Sequence, residues 1–125
     1  MEFKFTYSSF PTFFTEVELK GKELSFKEVY GSNAEITVLS DQKVEEFWEK
    51  VKKMRLEYWK DNYFSCVIDG LQWGVDIKSD FLTKEISGSN EFPDGSCNLK
   101  NTPIFDRLIS AVEFLIDRNG FFKNL

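Results

Sequence analysis

The stretch FTEVELKGKELSFKE, residues 14–28, decides the fold class. On each side of its central Lys-Gly-Lys, apolar or β-branched residues alternate with polar ones, the period of a strand that buries one face. The positions that share the buried face are Thr15, Val17, Leu19, Leu24 and Phe26. Because glycine suits a tight reversal, the stretch predicts a hairpin turn over residues 20–22. One strand is expected over 14–20 and a second running towards Tyr30.

Strand patterns continue on both sides of this hairpin. Phe3, Phe5 and Tyr7 alternate with polar residues before it. Ile36 and Val38 predict a further short strand within residues 34–39. The first half of the chain therefore resembles a series of antiparallel strands, each with one apolar face.

More strands are predicted in the second half. Residues 63–68 and 71–78 are expected to pair through Asp69-Gly70, because both positions tolerate the positive φ of a two-residue hairpin turn. Another strand is predicted over 82–86. Turn-forming residues then dominate 87–102, and we interpret Gly88-Ser89-Asn90 as a turn whose asparagine bonds its own backbone.

Two amphipathic helices are predicted, one in each half. Ser40 or Asp41 can cap the first, because a short side-chain oxygen accepts a free first-turn amide. Its apolar stripe consists of Val44, Phe47, Trp48, Val51 and Met54. The second has Thr102 as its cap, Pro103 at its first position and Asn119-Gly120 at its end. Its buried face consists of Ile104, Phe105, Leu108, Ile109, Val112, Leu115 and Ile116.

These elements predict a single α+β domain over residues 1–125, an antiparallel sheet with two helices packed on one face. Hairpin, Gly-Ser-Asn and helix recur in the same order in both halves. This recurrence predicts an internal duplication of a strands-then-helix unit, approximately over residues 1–58 and 63–125. Trp48, Trp73, Leu108 and Val112 are expected to be buried together.

Composition excludes several classes of site. The chain contains no histidine, which removes Ser-His-Asp and Cys-His nucleophiles and most zinc, copper and non-haem iron sites. Cys66 and Cys97 are too few for a disulfide scaffold or a cysteine-based metal site. No catalytic residue, metal or cofactor is predicted. A Mg²⁺ or Ca²⁺ site around Asp76, Asp80 and Asp94 is a minor alternative, because the ligand spacing of an EF-hand is absent.

Net charge and hydropathy limit the kinds of partner that the protein is expected to bind. Sixteen basic residues against 21 acidic ones give a net charge of −5, so a basic protein is favoured and direct binding to nucleic acid is not expected. No apolar run approaches the roughly 18 residues that a membrane helix needs. The first residues lack the basic-then-apolar order of a signal peptide, which predicts a cytoplasmic protein. The sequence leaves the oligomeric state open.

A spaced pattern of aromatic and turn residues covers approximately residues 47–117. It consists of Trp59, Tyr63, Asp69-Gly70-Leu71-Gln72-Trp73 and Gly88-Ser89-Asn90-Glu91-Phe92-Pro93 before the closing helix. This pattern resembles a loose group of small bacterial and phage-type α+β proteins, and the resemblance transfers no activity. By analogy of size, acidity and fold class, the chain is also similar to immunity proteins of toxin systems and to phage-encoded inhibitors such as anti-CRISPR proteins.

Residues 69–98 have the steepest charge imbalance, with six acidic residues against two lysines. Aromatic residues lie beside these acids, a combination in which charge steers a partner and a buried ring holds it. The predicted partner-binding residues are Asp76, Asp80, Phe81, Glu85, Glu91, Phe92 and Asp94. The sequence thus predicts a non-enzymatic inhibitor or immunity-type protein that neutralises a basic partner, such as a nuclease or another nucleic-acid-handling effector.

Two alternatives stay open. The acids can form a solvated sheet face that keeps the protein soluble. The chain can also be a small-ligand-binding module or small enzyme with a site between the sheet and the loop 87–102.

Overall fold

The computed structural model describes residues 1–9, 13–28, 33–64, 71–89 and 103–124. These residues form seven strands and two α-helices: β1 (Glu2–Ser9), β2 (Phe13–Lys20), β3 (Glu23–Lys27), β4 (Glu35–Val38), α1 (Asp41–Lys53), β5 (Asn62–Phe64), β6 (Gln72–Lys78), β7 (Thr83–Ser89) and α2 (Pro103–Ile116). Short 3₁₀ helices cover Leu56–Tyr58 and Phe121–Asn124. The predicted α+β class is confirmed.

The strands form one sheet in the order β4-β3-β2-β1-β6-β7-β5. Neighbours are antiparallel except β5 and β7, which are parallel. The predicted hairpin is confirmed, since β2 and β3 pair through a turn in which Gly21 has φ 59°. The short strand through Ile36 and Val38 is also confirmed as β4.

Both helices pack on one face of the sheet. Phe47 of α1 contacts Phe3 with ring centroids 4.9 Å apart, and Phe105 of α2 lies 6.4 Å from Phe5. Because side chains alternate along a strand, Phe3 and Phe5 point to the same side of β1. The opposite face, which carries Lys4, has no helix over it among the described residues. The four residues predicted to be buried together, Trp48, Trp73, Leu108 and Val112, all belong to the core between the helices and the sheet.

The ends of the helices follow local chemistry. Ser40 caps α1, and its Oγ accepts the amide of Lys43 at 3.2 Å. The chain leaves α1 through Arg55, which has a left-handed backbone with φ 55°. We expected α2 to end at Asn119-Gly120, but it ends at Ile116, and Asp117 adopts φ 57°. The expected cap Thr102 lies outside the described residues.

The C-terminal segment folds back on the core. Phe122 is buried, and its amide donates to the carboxylate of Glu113 at 3.0 Å. Arg118 binds Glu28 at 2.5 Å and Glu35 at 3.4 Å. These contacts attach the segment after α2 to the β3–β4 side of the sheet.

The predicted hairpin between β5 and β6 is wrong. Along its whole length β6 pairs with β1 on one side and β7 on the other, so no position beside it remains for β5. Instead β5 lies beside β7, where Ser87 donates its amide to the carbonyl of Asp61 at 2.9 Å and its hydroxyl to Asn62 Oδ1 at 2.8 Å. Asp69-Gly70 lies outside the described residues.

The predicted end of the last strand is also wrong. We expected strand 82–86 followed by a turn at Gly88-Ser89-Asn90, whereas β7 continues through Ser89. Gly88 lies directly opposite Trp73 in the sheet, and the indole occupies the space that a Cβ at residue 88 would fill. The glycine therefore accommodates a core ring rather than a chain reversal. Asn90 lies outside the described residues.

No helix in the described part of the chain is long and apolar enough to cross a membrane.

Candidate protein-binding surface

The structure divides the predicted partner-binding residues between two places. Asp76 and Glu85 lie directly opposite each other on β6 and β7, on the sheet face that no described helix covers. Asp80 and Phe81 lie in the turn between these strands and face α1. The remaining three, Glu91, Phe92 and Asp94, lie outside the described residues.

The turn after β6 is held by Ser79 and Leu82. The amide of Ser79 donates to the carbonyl of Leu82 at 2.8 Å, and the amide of Leu82 donates to Ser79 Oγ at 3.0 Å. This double contact closes a four-residue turn and leaves Asp80 and Phe81 at its two central positions. A short, hydrogen-bonded turn therefore presents a carboxylate and an aromatic ring side by side.

Phe81 forms one wall of a hollow beside α1, of about 480 Å³. The apolar side chains that line the hollow are Met1, Val44, Trp48 and Phe81. The charged side chains around it are Asp41, Glu45, Glu49, Asp80 and Lys52. We call these nine residues the acid-rimmed hollow. It combines four apolar side chains with four carboxylates and one lysine.

The ring of Phe81 is supported by the core. It lies 6.1 Å from Trp48 in an edge-to-face arrangement, and Trp48 in turn contacts Phe47 at 5.5 Å. Phe81 is 39% exposed whereas Trp48 is only 6% exposed. An exposed ring on a rigid aromatic base is the type of side chain that dominates protein interfaces, because little conformational entropy is lost when it is covered.

Three acids of the rim lie on one face of α1. Asp41, Glu45 and Glu49 are four residues apart, which places them on one side of the helix. Asp41 pairs with Lys22 at 2.9 Å. Within the described residues, Glu45, Glu49 and Asp80 take part in no ion pair.

The sequence-based prediction missed the contribution of α1. It sought acids only in the stretch 69–98, so Glu45 and Glu49 were not among the predicted partner-binding residues. The four-residue spacing of the acids beside Val44 and Trp48 was the available signal, but only the fold reveals that the β6–β7 turn lies next to that face of α1.

A second concave surface lies on the uncovered sheet face, over β1, β6 and β7. This groove has a volume of about 970 Å³, and its lining includes Lys4, Thr6, Gly74, Asp76 and Glu85. A Cβ at Gly74 would lie 3.0 Å from the hydroxyl of Thr6.

Lysines offset most of the acids in this groove. Lys4 Nζ lies 3.2 Å from Glu16 Oε1, and the strand register places Lys4 between Glu18 and Asp76. The hydrogen bond with Glu16 raises the pKa of Lys4 against the opposing effect of burial, and the charges of Glu16, Glu18 and Asp76 raise it further. Lys4 therefore stays protonated at neutral pH and compensates the acids around it.

On the rest of this sheet face, acidic residues also lie beside lysines of adjacent strands. Glu2 lies between Lys20 and Lys78 in adjacent strands. The pair Asp76 and Glu85 is an exception, because two like charges are directly opposite. Opposite charges in neighbouring strands stabilise a sheet. Pairing between strands therefore accounts for most of the charged residues on this face. The acid-rimmed hollow is the stronger candidate for binding a basic partner.

The described residues contain no group of three histidine, cysteine, aspartate or glutamate side chains that could hold a metal ion. Two acids of the alternative Mg²⁺ or Ca²⁺ site lie on different surfaces, since Asp76 lines the groove and Asp80 lines the hollow, and the third, Asp94, lies outside the described residues. Cys66 and Cys97 lie outside the described residues, as does most of the loop 87–102 of the alternative ligand site.

Comparison with known proteins adds no assignment. Neither a protein-family model nor a curated protein sequence matches the chain significantly.

Proposed function

We propose that this protein is a non-enzymatic, immunity-type or inhibitor protein that binds a basic protein partner through the acid-rimmed hollow. The observation that carries the proposal is the juxtaposition of the exposed Phe81 ring with the carboxylates of Glu45, Glu49 and Asp80, which have no cationic partner in the described structure.

The hollow suits a lysine or arginine side chain of the partner. The aliphatic stem of such a side chain can pack on Phe81 and Met1, while its cationic head reaches the carboxylates of the rim. A positive group beside an aromatic ring also gains from the electrostatics of the ring face. The hollow supplies both components within one surface.

A nuclease or another protein that handles nucleic acid is the proposed partner class. Such proteins carry basic surfaces that attract phosphates, and a chain with a net charge of −5 is attracted to the same surfaces. Covering that surface would exclude the nucleic acid, so inhibition requires no chemistry from this chain. The sequence contains no histidine, the side chain most often used in general acid–base catalysis.

Site-specific photo-crosslinking in the source cells tests the proposal. Phe81 is replaced by p-benzoylphenylalanine, and a matched sample carries the same group at Tyr58, which is 80% exposed and does not line the hollow. The protein that is captured only from residue 81 is then purified. Its affinity for wild type, Phe81→Ala and Tyr58→Ala is measured at low and high salt.

The proposal predicts a basic captured protein whose affinity falls with salt and falls about 10- to 100-fold in Phe81→Ala but not in Tyr58→Ala. Capture of an acidic protein, the same captured proteins from both positions, or equal affinities of the two alanine variants would overturn it.

A further inference from the structure

Strand β4 forms one edge of the sheet, and among the described residues no strand pairs with its outer side. The amide of Leu39, just after β4, donates to the carbonyl of Lys22 at 2.8 Å. Successive amides in a strand point to opposite sides, so Thr37 also faces β3 whereas Ile36 and Val38 face away. No bond to these two outward amides occurs in the described structure. The edge therefore offers two donors and two acceptors.

The side chains of this edge are unusually apolar for a free strand. Ile36 is 57% exposed and Val38 is 72% exposed, and the register with β3 places both on the sheet face that no described helix covers. The only charged side chain of β4, that of Glu35, is bound by Arg118 at 3.4 Å. Natural edge strands are commonly protected by short length, lysine, proline or a bulge; β4 is short, at four residues, but contains no lysine, proline or bulge.

The edge is complementary to itself. Two copies of β4 can be placed antiparallel with Thr37 opposite Thr37 of the second copy. Ile36 of each copy then lies opposite Val38 of the other. The outward amides and carbonyls of Ile36 and Val38 then form four hydrogen bonds, because these are the residues whose backbone points outward. The two side chains of each Ile36–Val38 pair lie on the same face of the sheet, and apolar cross-strand pairs of this kind are favourable.

Charge does not oppose this arrangement at close range. The nearest charged residue on the same face is Glu23, which pairs with Val38 in the adjacent strand. In the proposed register, Glu23 of one copy and Glu23 of the other are separated by three strand spacings and two residues along the strand, about 16 Å. Salt at physiological concentration screens charges at that distance.

We infer that a second copy of this chain adds to the β4 edge, so that an antiparallel β4–β4 contact joins the two sheets into one continuous sheet. The contact is short, so it buries less area than the roughly 1,200 Å² of a stable complex and produces a weak dimer that depends on concentration. The inference is independent of the acid-rimmed hollow, because β4 contributes no residue to it.

Sedimentation equilibrium over a range of concentrations tests the inference. The key variant is Val38→Pro, which removes an outward amide that the monomer does not use, so the pairing of β4 with β3 is retained. Val38→Lys is a second variant that keeps the amide but adds an edge charge. Tyr58→Lys is the control, because it removes an equally exposed apolar side chain elsewhere. Circular dichroism verifies that each variant is folded.

The wild type and Tyr58→Lys are expected to dimerise with similar dissociation constants. The constant is expected to rise at least about tenfold in both Val38 variants. A wild type that stays monomeric at millimolar concentration, or a dimer that persists in both Val38 variants, would overturn the inference.

Discussion

Gly88 on β7 and Trp73 on β6 lie directly opposite each other, and the indole of Trp73 covers the backbone of Gly88. Tyr63 pairs with Gly88 from the other side, and its ring lies 5.8 Å from that of Trp73. Two aromatic side chains from strands on either side of β7 thus meet over one residue that has no side chain. This contact depends on the order β6-β7-β5, which places Gly88 between the two rings.

Gly88→Ala is expected to lower the free energy of unfolding by about 1–3 kcal/mol, because the added methyl overlaps the Trp73 ring and the core must shift. Chemical denaturation followed by tryptophan fluorescence measures the change. Gly74→Ala is the matched control in the neighbouring strand. There the new Cβ is 3.0 Å from the Thr6 hydroxyl, which can rotate away, so a smaller loss is expected. Equal losses in the two variants would contradict this role of Gly88.

Leu108→Ala is expected to cost about 2–5 kcal/mol, because Leu108 is fully buried where α2 packs on the sheet. Urea denaturation provides the measurement. Ser110→Ala on the same helix is exposed and should be nearly neutral. A loss well below 1 kcal/mol for Leu108→Ala would show that the buried face of α2 is assigned wrongly.

Glu113→Ala is expected to release the segment after α2. The change removes the acceptor of the buried Phe122 amide, and an unsatisfied amide costs about 1–3 kcal/mol. Hydrogen exchange at Phe122 should become faster, with little change at Val75 in the centre of the sheet. Retained protection at Phe122 would show that the carboxylate does not hold this segment.

Lys4 makes stability depend on pH at the alkaline end. Its folded-state pKa lies above the ordinary value of 10.5, chiefly because of the hydrogen bond with Glu16. A raised pKa means that the stabilisation is complete below the unfolded pKa and is lost as the pH rises through the folded one. The difference in unfolding free energy between wild type and Lys4→Met should therefore be constant up to about pH 9 and shrink above pH 10.5. A difference that does not change with pH would contradict the coupling.

Periodicity predicted most of the fold because it depends on local pattern. The alternation in β1, β2 and β6 and the described side chains of both helix stripes lie as expected, since each element buries one face against a common core; the side chain of Ile104 lies outside the described part. The predicted internal duplication is not tested by these observations and stays a prediction.

The errors arose where partners distant in sequence decide the outcome. Asp69-Gly70 is a strong local turn signal, but β1 occupies the side of β6 that a hairpin would have used. Gly88-Ser89-Asn90 is a sequence typical of a turn, but Gly88 lies in a strand, where it leaves space for the ring of Trp73. Neither competing contact is visible in a local window.

Only part of the candidate surface could be predicted, because the rest depends on contacts between residues that are distant in sequence. Asp80 and Phe81 follow from the local charge imbalance, and the turn closed by Ser79 exposes both. Glu45 and Glu49 join them only because α1 packs beside the β6–β7 turn. Asp76 and Glu85 are close in sequence to Asp80 but belong to another surface, because strand alternation turns them to the uncovered sheet face.

The association rate of the partner captured through residue 81 tests the central claim most directly. Stopped-flow rates are measured at low and high ionic strength for wild type, for Glu45→Lys with Asp80→Lys, and for Glu85→Lys as the control on the uncovered sheet face. The account predicts that the double variant associates at least about tenfold more slowly at low salt and loses most of its salt dependence, while Glu85→Lys behaves nearly as wild type. A double variant with the rate of wild type, together with slow association of Glu85→Lys, would contradict the account and assign binding to the open sheet face.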